Sequence, residues 1–186
     1  MLNKILEFNK QFVENKGYEP YLSSKFPEKE VVVVTCMDTR LVELLPKALD
    51  LRNGDVKMIK TAGAVISHPF GSVMRSILVS IYELGAKEVL VIGHHECGMA
   101  NTDPTRIKKR MIEEGIKEEN LDLLNSSGID LDKWLSGFTN VFDSVKHSVS
   151  IIKNHPLVPK DVEVHGLVID PHTGKLEVVH RDPKAE

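Results

Sequence analysis

A three-layer α/β/α fold around a mostly parallel sheet is what the sequence predicts, and three observations predict it. Val31-Val32-Val33-Val34-Thr35 is a β-branched run without alternation, the pattern of a strand buried on both faces. Further strand candidates alternate with helical periodicities along the chain, as in a parallel sheet whose crossovers are helices. No repeat, low-complexity tract or linker divides the 186 residues. Residues 1–186 therefore read as one domain, with 1–25 as a candidate N-terminal helical arm.

In chain order, Leu2, Ile5, Leu6, Phe12 and Val13 recur near helical spacing and predict an amphipathic first helix, with Gly17 at the C′ position. Its apolar stripe can serve either this chain's core or a partner subunit. Residues 31–35 are the first strand. Residues 56–60 are the second, entered through the turn Arg52-Asn53-Gly54-Asp55. A helix from about 71 to 84 puts Val73, Ile77, Leu78, Ile81 and Leu84 on one broad face, and Gly85 stops it. Residues 88–93 are the third strand. Asp103-Pro104 reads as an N-cap followed by proline at the first helical position, opening a helix with Ile107, Met111 and Ile112 that ends at Gly115. The mixed lysines and glutamates of that helix read as a solvated face. Beyond Trp134 and residues 136–140, one side of a further helix carries Val141, Val145, Val149 and Ile152. Residues 162–169 are the fourth strand. Asp170-Pro171-His172-Thr173-Gly174 then turns the chain into an antiparallel edge strand at 175–180. The expected strand order is 2-1-3-4, with the fifth strand at the edge.

Composition narrows the function. With 24 Lys+Arg against 27 Asp+Glu the net charge is −3, and the pI is about 6.2. Such a chain has no electrostatic reason to seek nucleic acid or an anionic membrane. Charges interrupt every apolar run near the N-terminus, so no secretory core is expected. No stretch approaches the roughly 18 apolar residues that span a bilayer. The expected compartment is the reducing cytoplasm, where two thiols stay free, bind metal or do chemistry.

Those thiols are Cys36 and Cys97, too few for a disulfide framework. Cys36 lies just beyond the first strand in Cys36-Met37-Asp38-Thr39-Arg40, and Cys97 just beyond the third in His94-His95-Glu96-Cys97-Gly98. Ligands of open α/β sheets bind outside the carboxyl ends of strands, where the strand order reverses. In a 2-1-3-4 sheet both cysteines and His94 converge there. Two thiolates and an imidazole are ligand types that Zn²⁺ prefers, and a Cys₂His set with an open fourth position is a known catalytic arrangement. Taken singly, a buried cysteine is more often a small hydrophobe, and Asp38–Arg40 is equally a surface ion pair. The conjunction of both cysteines at strand ends, one with His94 and the other with Asp38 and Arg40, favours a metal centre.

Cys-x-Asp-x-Arg followed tens of residues later by His-x-x-Cys-Gly resembles the β-class carbonic anhydrases. The Val-rich strand before Cys36, the Lys60-Thr61-Ala62-Gly63 loop and Val91-Ile92-Gly93-His94 agree with it. The resemblance is strong over residues 30–100 and an outline elsewhere, and the short chain is similar to the compact branch found in bacteria and archaea. It implies one Zn²⁺ per chain on Cys36, His94 and Cys97. It implies Asp38 and Arg40 as the acid–base dyad, with Asp38 as a conditional fourth ligand, and Ala62, Gly63 and Gly98 on the substrate side. It also implies CO₂ and bicarbonate as the substrate pair, and a homodimer or higher homo-oligomer in which the first helix is a swapping arm. The sequence departs from the family where Lys60-Thr61 precede Ala62-Gly63 in place of the frequent Arg-Asn, and at His95 and Glu96. His95 suits a proton shuttle or a surface histidine equally.

The chemistry has its own logic. Two thiolates bring the formal charge of a zinc site to zero, so its water should ionise less readily than the value of about 7 at a three-histidine zinc. A proton acceptor is then needed, and Asp38 is the nearest carboxylate in sequence. A carboxylate so close can also occupy the fourth position itself, and Arg40 can hold it away through a forked pair. Three functions share this site: hydration of CO₂ by zinc hydroxide, the same attack on COS or CS₂, and a non-catalytic zinc module closed by Asp38. A redox dithiol is disfavoured because no Cys-x-x-Cys spacing is present.

Overall fold

Every residue of strand β1 (Val31–Cys36) is buried, because the pleat sends successive side chains to opposite faces and helices cover both. The computed structural model describes residues 1–183. It contains α1 (Leu2–Glu14), β1, α2 (Leu41–Ala48), β2 (Val56–Thr61), α3 (Ser72–Tyr82), β3 (Glu88–His94), α4 (Pro104–Glu113), α5 (Glu118–Ser126), α6 (Leu131–Leu135), α7 (Val141–Lys153), β4 (Glu163–Ile169) and β5 (Leu176–His180). The sheet runs β2-β1-β3-β4-β5, parallel through β4 and antiparallel at β5, in the predicted order.

Alternation along the strands builds two cores. Val32, Val34, Val89, Val91, Val164 and Val168 face α3 and α7, meeting Met74, Ile77, Val145, Val149 and Ile152. Val31, Val33, Ile92 and Ile169 face the other way, onto Leu41 and Leu45 of α2. At about 2 kcal/mol for each buried valine, the four valines of β1 make it a firm support for its last residue, Cys36. Two glycines set the approach of α7: a Cβ at Gly93 or Gly166 would stand 2.8 Å from Val145, and at Gly93 also 2.8 Å from Val141.

Several elements differ from expectation. The strands before the site run one residue further than predicted, so Cys36, Thr61 and His94 are strand residues. The left-handed residue after α1 is Lys16 (φ 56), with Gly17 one position later donating its amide to Phe12 O. Helix α3 ends at Tyr82, and its inner face includes Met74 and Ser80. Helices α2, α5 and α6 carry no clear signal in the sequence. Pro46 interrupts the helical pattern of α2, and α5 and α6 each bury a single leucine, Leu121 and Leu131. Asp103 caps α4 as expected, accepting from the Thr105 amide, and Gly115 follows that helix with φ 95.

No residue of α1 is buried, and Leu2, Ile5, Leu6, Phe8 and Val13 are exposed. Among the described residues, no helix is long and apolar enough to cross a membrane.

Residues 181–183, beyond β5, are anchored by buried Asp182. Its carboxylate accepts from the Val164 amide at 3.0 Å, lies 3.0 Å from His180 Nε2 and pairs with Lys153 of α7. Burial alone would raise its pKa, but Lys153, His180 and the Val164 amide outweigh that and hold it at about 2, against an ordinary 3.8. A lowered pKa stabilises the fold above the ordinary value, and this stabilisation is lost as pH falls through about 2. Asp182→Asn is expected to cost about 2 kcal/mol at pH 7, with the difference from the parent shrinking between pH 4 and 2. Urea unfolding across that range measures it, and a pH-independent difference would exclude the carboxylate as its source.

Candidate metal centre

Strands β1 and β3 are hydrogen-bonded neighbours, and from them the chain proceeds to β2 on one side and β4 on the other. Their carboxyl ends therefore open at the reversal of strand order, where side chains can converge without a strand across the gap. Cys36 is the last residue of β1 and His94 the last of β3. The turn after β3 brings Cys97 back beside them. All three are buried, the two sulfurs are 3.8 Å apart, and the three ligand atoms lie within 4.8 Å of one another.

The donor set fits a metal ion. His94 Nδ1 donates to the His95 carbonyl at 2.8 Å, which fixes the tautomer and leaves Nε2 as a bare lone pair. Nε2 is buried with no hydrogen-bond partner, a situation that costs about 1–3 kcal/mol unless another group meets the atom. A cation among the three donors would meet it. The Cys36 thiol is pulled down to about 4, first by the S–H of Cys97, with His94 and the backbone at Asp38 and Gly63 assisting against burial. The Cys97 thiol is pushed up, because it donates to Cys36 and is buried. A dication bound by both sulfurs would displace their protons. Burial disfavours a charged His94, but the Cys36 sulfur and the His95 carbonyl outweigh it and raise its pKa.

Beside the three donors lies Asp38, with Oδ2 3.7 Å from His94 Nε2. Arg40 grips it with a fork: Nε donates to Oδ1 and Nη2 to Oδ2, each at 3.0 Å, and the Arg40 amide adds a 2.9 Å bond to Oδ1. This pairing, led by the Arg40 hydrogen bonds, holds the Asp38 carboxyl at about 2. The forked pair inferred from spacing is present, and it lies beside the three candidate donors.

The predicted substrate-side residues are placed differently from one another. The Gly63 amide donates to Cys36 Sγ at 3.3 Å, so it acts on a candidate ligand. Gly63 has φ 72, and a Cβ there would stand 2.9 Å from Phe138 and 3.0 Å from Met99, so glycine is required on both counts. Ala62 adjoins it at the end of β2, half-buried. Gly98 is exposed, with nothing within 4 Å of where a Cβ would stand. His95 points toward the sheet edge, where Nε2 lies 2.8 Å from Glu177 Oε1 of β5 and the ring packs near Phe142.

Two residues beside the centre have no role assignable from sequence. Glu96 accepts from Arg40 Nη1 at 3.3 Å through its carboxylate and from Nη2 at 3.0 Å through its backbone carbonyl. His172 Nε2 lies 3.0 Å from the same Glu96 carboxylate, and this contact, with Arg40 assisting, lowers the Glu96 pKa. The only signal for Glu96 is an acid between two candidate ligands. His172 sits 76 residues away and carries none.

Fold and donor set define a family. Residues 31–176 match the model of the carbonic anhydrase family, and the chain belongs to that family, in its β class. A Bacillus subtilis (strain 168) protein provisionally named carbonic anhydrase YvdA is 61% identical over 178 residues, which are 96% of this chain and 90% of that one. A carbon disulfide hydrolase of Acidithiobacillus thiooxidans is 31% identical over 156 residues, 80% of this chain and 76% of that one. The crystal structure of β-carbonic anhydrase isoform I from Trichomonas vaginalis is similar at a TM-score of 0.89 and 36% identity, covering 97% of this chain and 98% of that one.

Proposed function

We propose that this protein interconverts CO₂ and bicarbonate, using one Zn²⁺ per chain held by Cys36, His94 and Cys97. The observation that carries the reading is the bare, buried Nε2 of His94 between two thiols, with a carboxylate pinned beside it. Zinc there would lower the pKa of a water molecule and so supply a nucleophile for a small electrophile at near-neutral pH. The other roles fall to the chain. Asp38, ionised at every working pH, would accept a hydrogen bond from that water and orient it. Arg40 orients Asp38 and keeps it from the fourth ligand position. Gly63 supports the Cys36 thiolate with its amide and leaves room for Phe138 and Met99. Gly98, open above its Cα, and Ala62 border the substrate side.

The wider setting follows from the same reading. A neutral gas needs no steering field, in keeping with a net charge of −3, and neither nucleic acid nor a membrane is a proposed partner. Free thiols suit the cytoplasm. The apolar face that α1 leaves exposed supports a homodimer or higher homo-oligomer built on a single domain, with residues 1–25 as its arm. A second reading keeps the site and changes the electrophile to COS or CS₂, favoured by the likeness to a carbon disulfide hydrolase. A closed, non-catalytic zinc module is the third.

Zinc content and stopped-flow CO₂ hydration on one sample at pH 7 and 8.5, with COS and CS₂ run in parallel, separate them. Near-unit zinc with CO₂ hydration supports the first reading, and turnover of CS₂ or COS alone supports the second. Bound zinc with no turnover at any pH supports the third, and absence of zinc in protein made under reducing, zinc-replete conditions overturns all three. Hydration is expected to rise from pH 6.5 to 9. With Asp38 held at about 2, that rise reports the ionisation of water at a weakly acidifying, neutral donor set. A flat profile contradicts the arrangement.

A further inference from the structure

Arg40 is held from two sides. Its Nε and Nη2 reach the two oxygens of Asp38, while Nη1 and the second hydrogen of Nη2 reach the Glu96 carboxylate and backbone carbonyl. The four bonds use four different hydrogens, so the grip of Glu96 adds to that of Asp38 without competing with it. Glu96 presents both groups because its backbone is left-handed, with φ 53, a conformation that L side chains other than Asn and Asp seldom adopt. Strain of this kind gathers where geometry serves a function.

The far side of Glu96 is fixed as well. Its Oε2 lies 3.0 Å from His172 Nε2. His172 sits on a turn whose shape is set by the Asp170 carboxylate, which accepts from the His172 and Thr173 amides at 2.9 and 2.8 Å. A continuous tether therefore runs from the β4–β5 turn through His172 and Glu96 to Arg40 and Asp38. With its side chain 66% exposed, Glu96 adds little to stability by pairing. Orientation is what the arrangement supplies.

We propose that Glu96, seated by His172, is a positioning residue that fixes the Arg40 guanidinium on Asp38 and thereby holds the Asp38 carboxylate off the Cys36–His94–Cys97 centre. The proposal rests on the reading of that centre as a catalytic zinc site. Without the Glu96 carboxylate, Arg40 swings more freely, the fork to Asp38 is less populated, and Asp38 spends more time as a fourth ligand.

The test compares the parent with Glu96→Ala, Glu96→Gln and His172→Ala, each loaded with zinc for kinetics and with cobalt(II) for its visible spectrum. For Glu96→Ala we expect kcat for CO₂ hydration to fall about fivefold with KM unchanged, the upper end of what an exposed ion pair holds. Release of metal to a chelator should slow by a similar factor, because a fourth protein ligand joins. The cobalt spectrum should shift towards that of the carboxylate-ligated form. Glu96→Gln, which keeps an acceptor for Arg40, should recover part of the loss, and His172→Ala should shift the same readouts less. In an Asp38→Asn background, Glu96→Ala should leave the cobalt spectrum and release rate unchanged. A parent-like spectrum and release rate in Glu96→Ala overturns the proposal, as does an effect that persists undiminished without the Asp38 carboxylate. If Glu96→Ala does not fold, Glu96→Gln and His172→Ala decide between the same outcomes by the same readouts. A parent protein that neither binds metal nor hydrates CO₂ removes the catalytic reading itself. A parent that does both, matched by its Glu96 variants, removes only the positioning role.

Discussion

His94→Ala is expected to leave the chain folded but without a retained metal ion, and to lower CO₂ hydration by about 10³-fold or more. The magnitude follows from what the metal supplies: losing about 4 kcal/mol of transition-state stabilisation corresponds to about 10³-fold in rate. His94 is the donor with no other employment, since its Nδ1 is committed to the His95 carbonyl and its Nε2 makes no hydrogen bond among the described residues. Truncation therefore removes a ligand without breaking any other hydrogen bond of Nε2. The two thiols that remain lie 3.8 Å apart, sulfur to sulfur. They form a weaker two-donor site. Metal analysis after dialysis, circular dichroism and hydration rates on one preparation check this. Full zinc content in folded His94→Ala would place the metal elsewhere.

Asp38→Asn is expected to separate metal binding from turnover. The variant should keep its zinc while kcat falls by about 10²- to 10³-fold, the range for losing one preorganised, charged hydrogen-bond partner at a reacting centre. The amide is isosteric and still accepts from Arg40 through its oxygen, so the fork is weakened but not abolished. It is a far poorer proton acceptor and a poorer ligand than a carboxylate. Arg40→Ala is the contrasting change. It releases a carboxylate 3.7 Å from His94 Nε2, and the Asp38 pKa, held at about 2 by Arg40, should return toward the ordinary carboxylate range. Activity should fall in both variants, but metal should leave Arg40→Ala more slowly than the parent and Asp38→Asn no more slowly. Equal release rates in all three would show that Asp38 does not approach the metal position.

Much of this site is legible in the sequence because its chemistry sits at the ends of strongly patterned strands. The valine run of β1 and residues 88–93 mark two buried parallel strands, and Cys36 and His94 are their last residues. The forked Asp38–Arg40 pair is legible because donor and acceptor are only two positions apart, a spacing that local backbone geometry alone can close. What escapes has no local signature. The grip of Glu96 on Arg40 spans 56 positions and depends on a left-handed backbone that no glycine announces. Gly63 reads in the sequence as approach space for a substrate, but its N–H points at Cys36 Sγ, and only the pairing of β1 with β2 brings them together. Helices α5 and α6 escape for energetic reasons. Each contributes one buried leucine, too few to impose a clear apolar stripe on the sequence.

The distance along the chain between Cys36 and Cys97 has a consequence for folding. The two sulfurs belong to residues 61 positions apart, and they meet only after β1 and β3 have paired. A metal ion bridging them would act as a reversible cross-link on the central strand pair, present in the native chain and absent from the unfolded one. Ligand bound only to the native state deepens its stability by about 2.7 kcal/mol at a hundredfold excess over Kd. An ion held there would therefore also be a clasp on the sheet, one that a chelator opens and that closes again when metal returns.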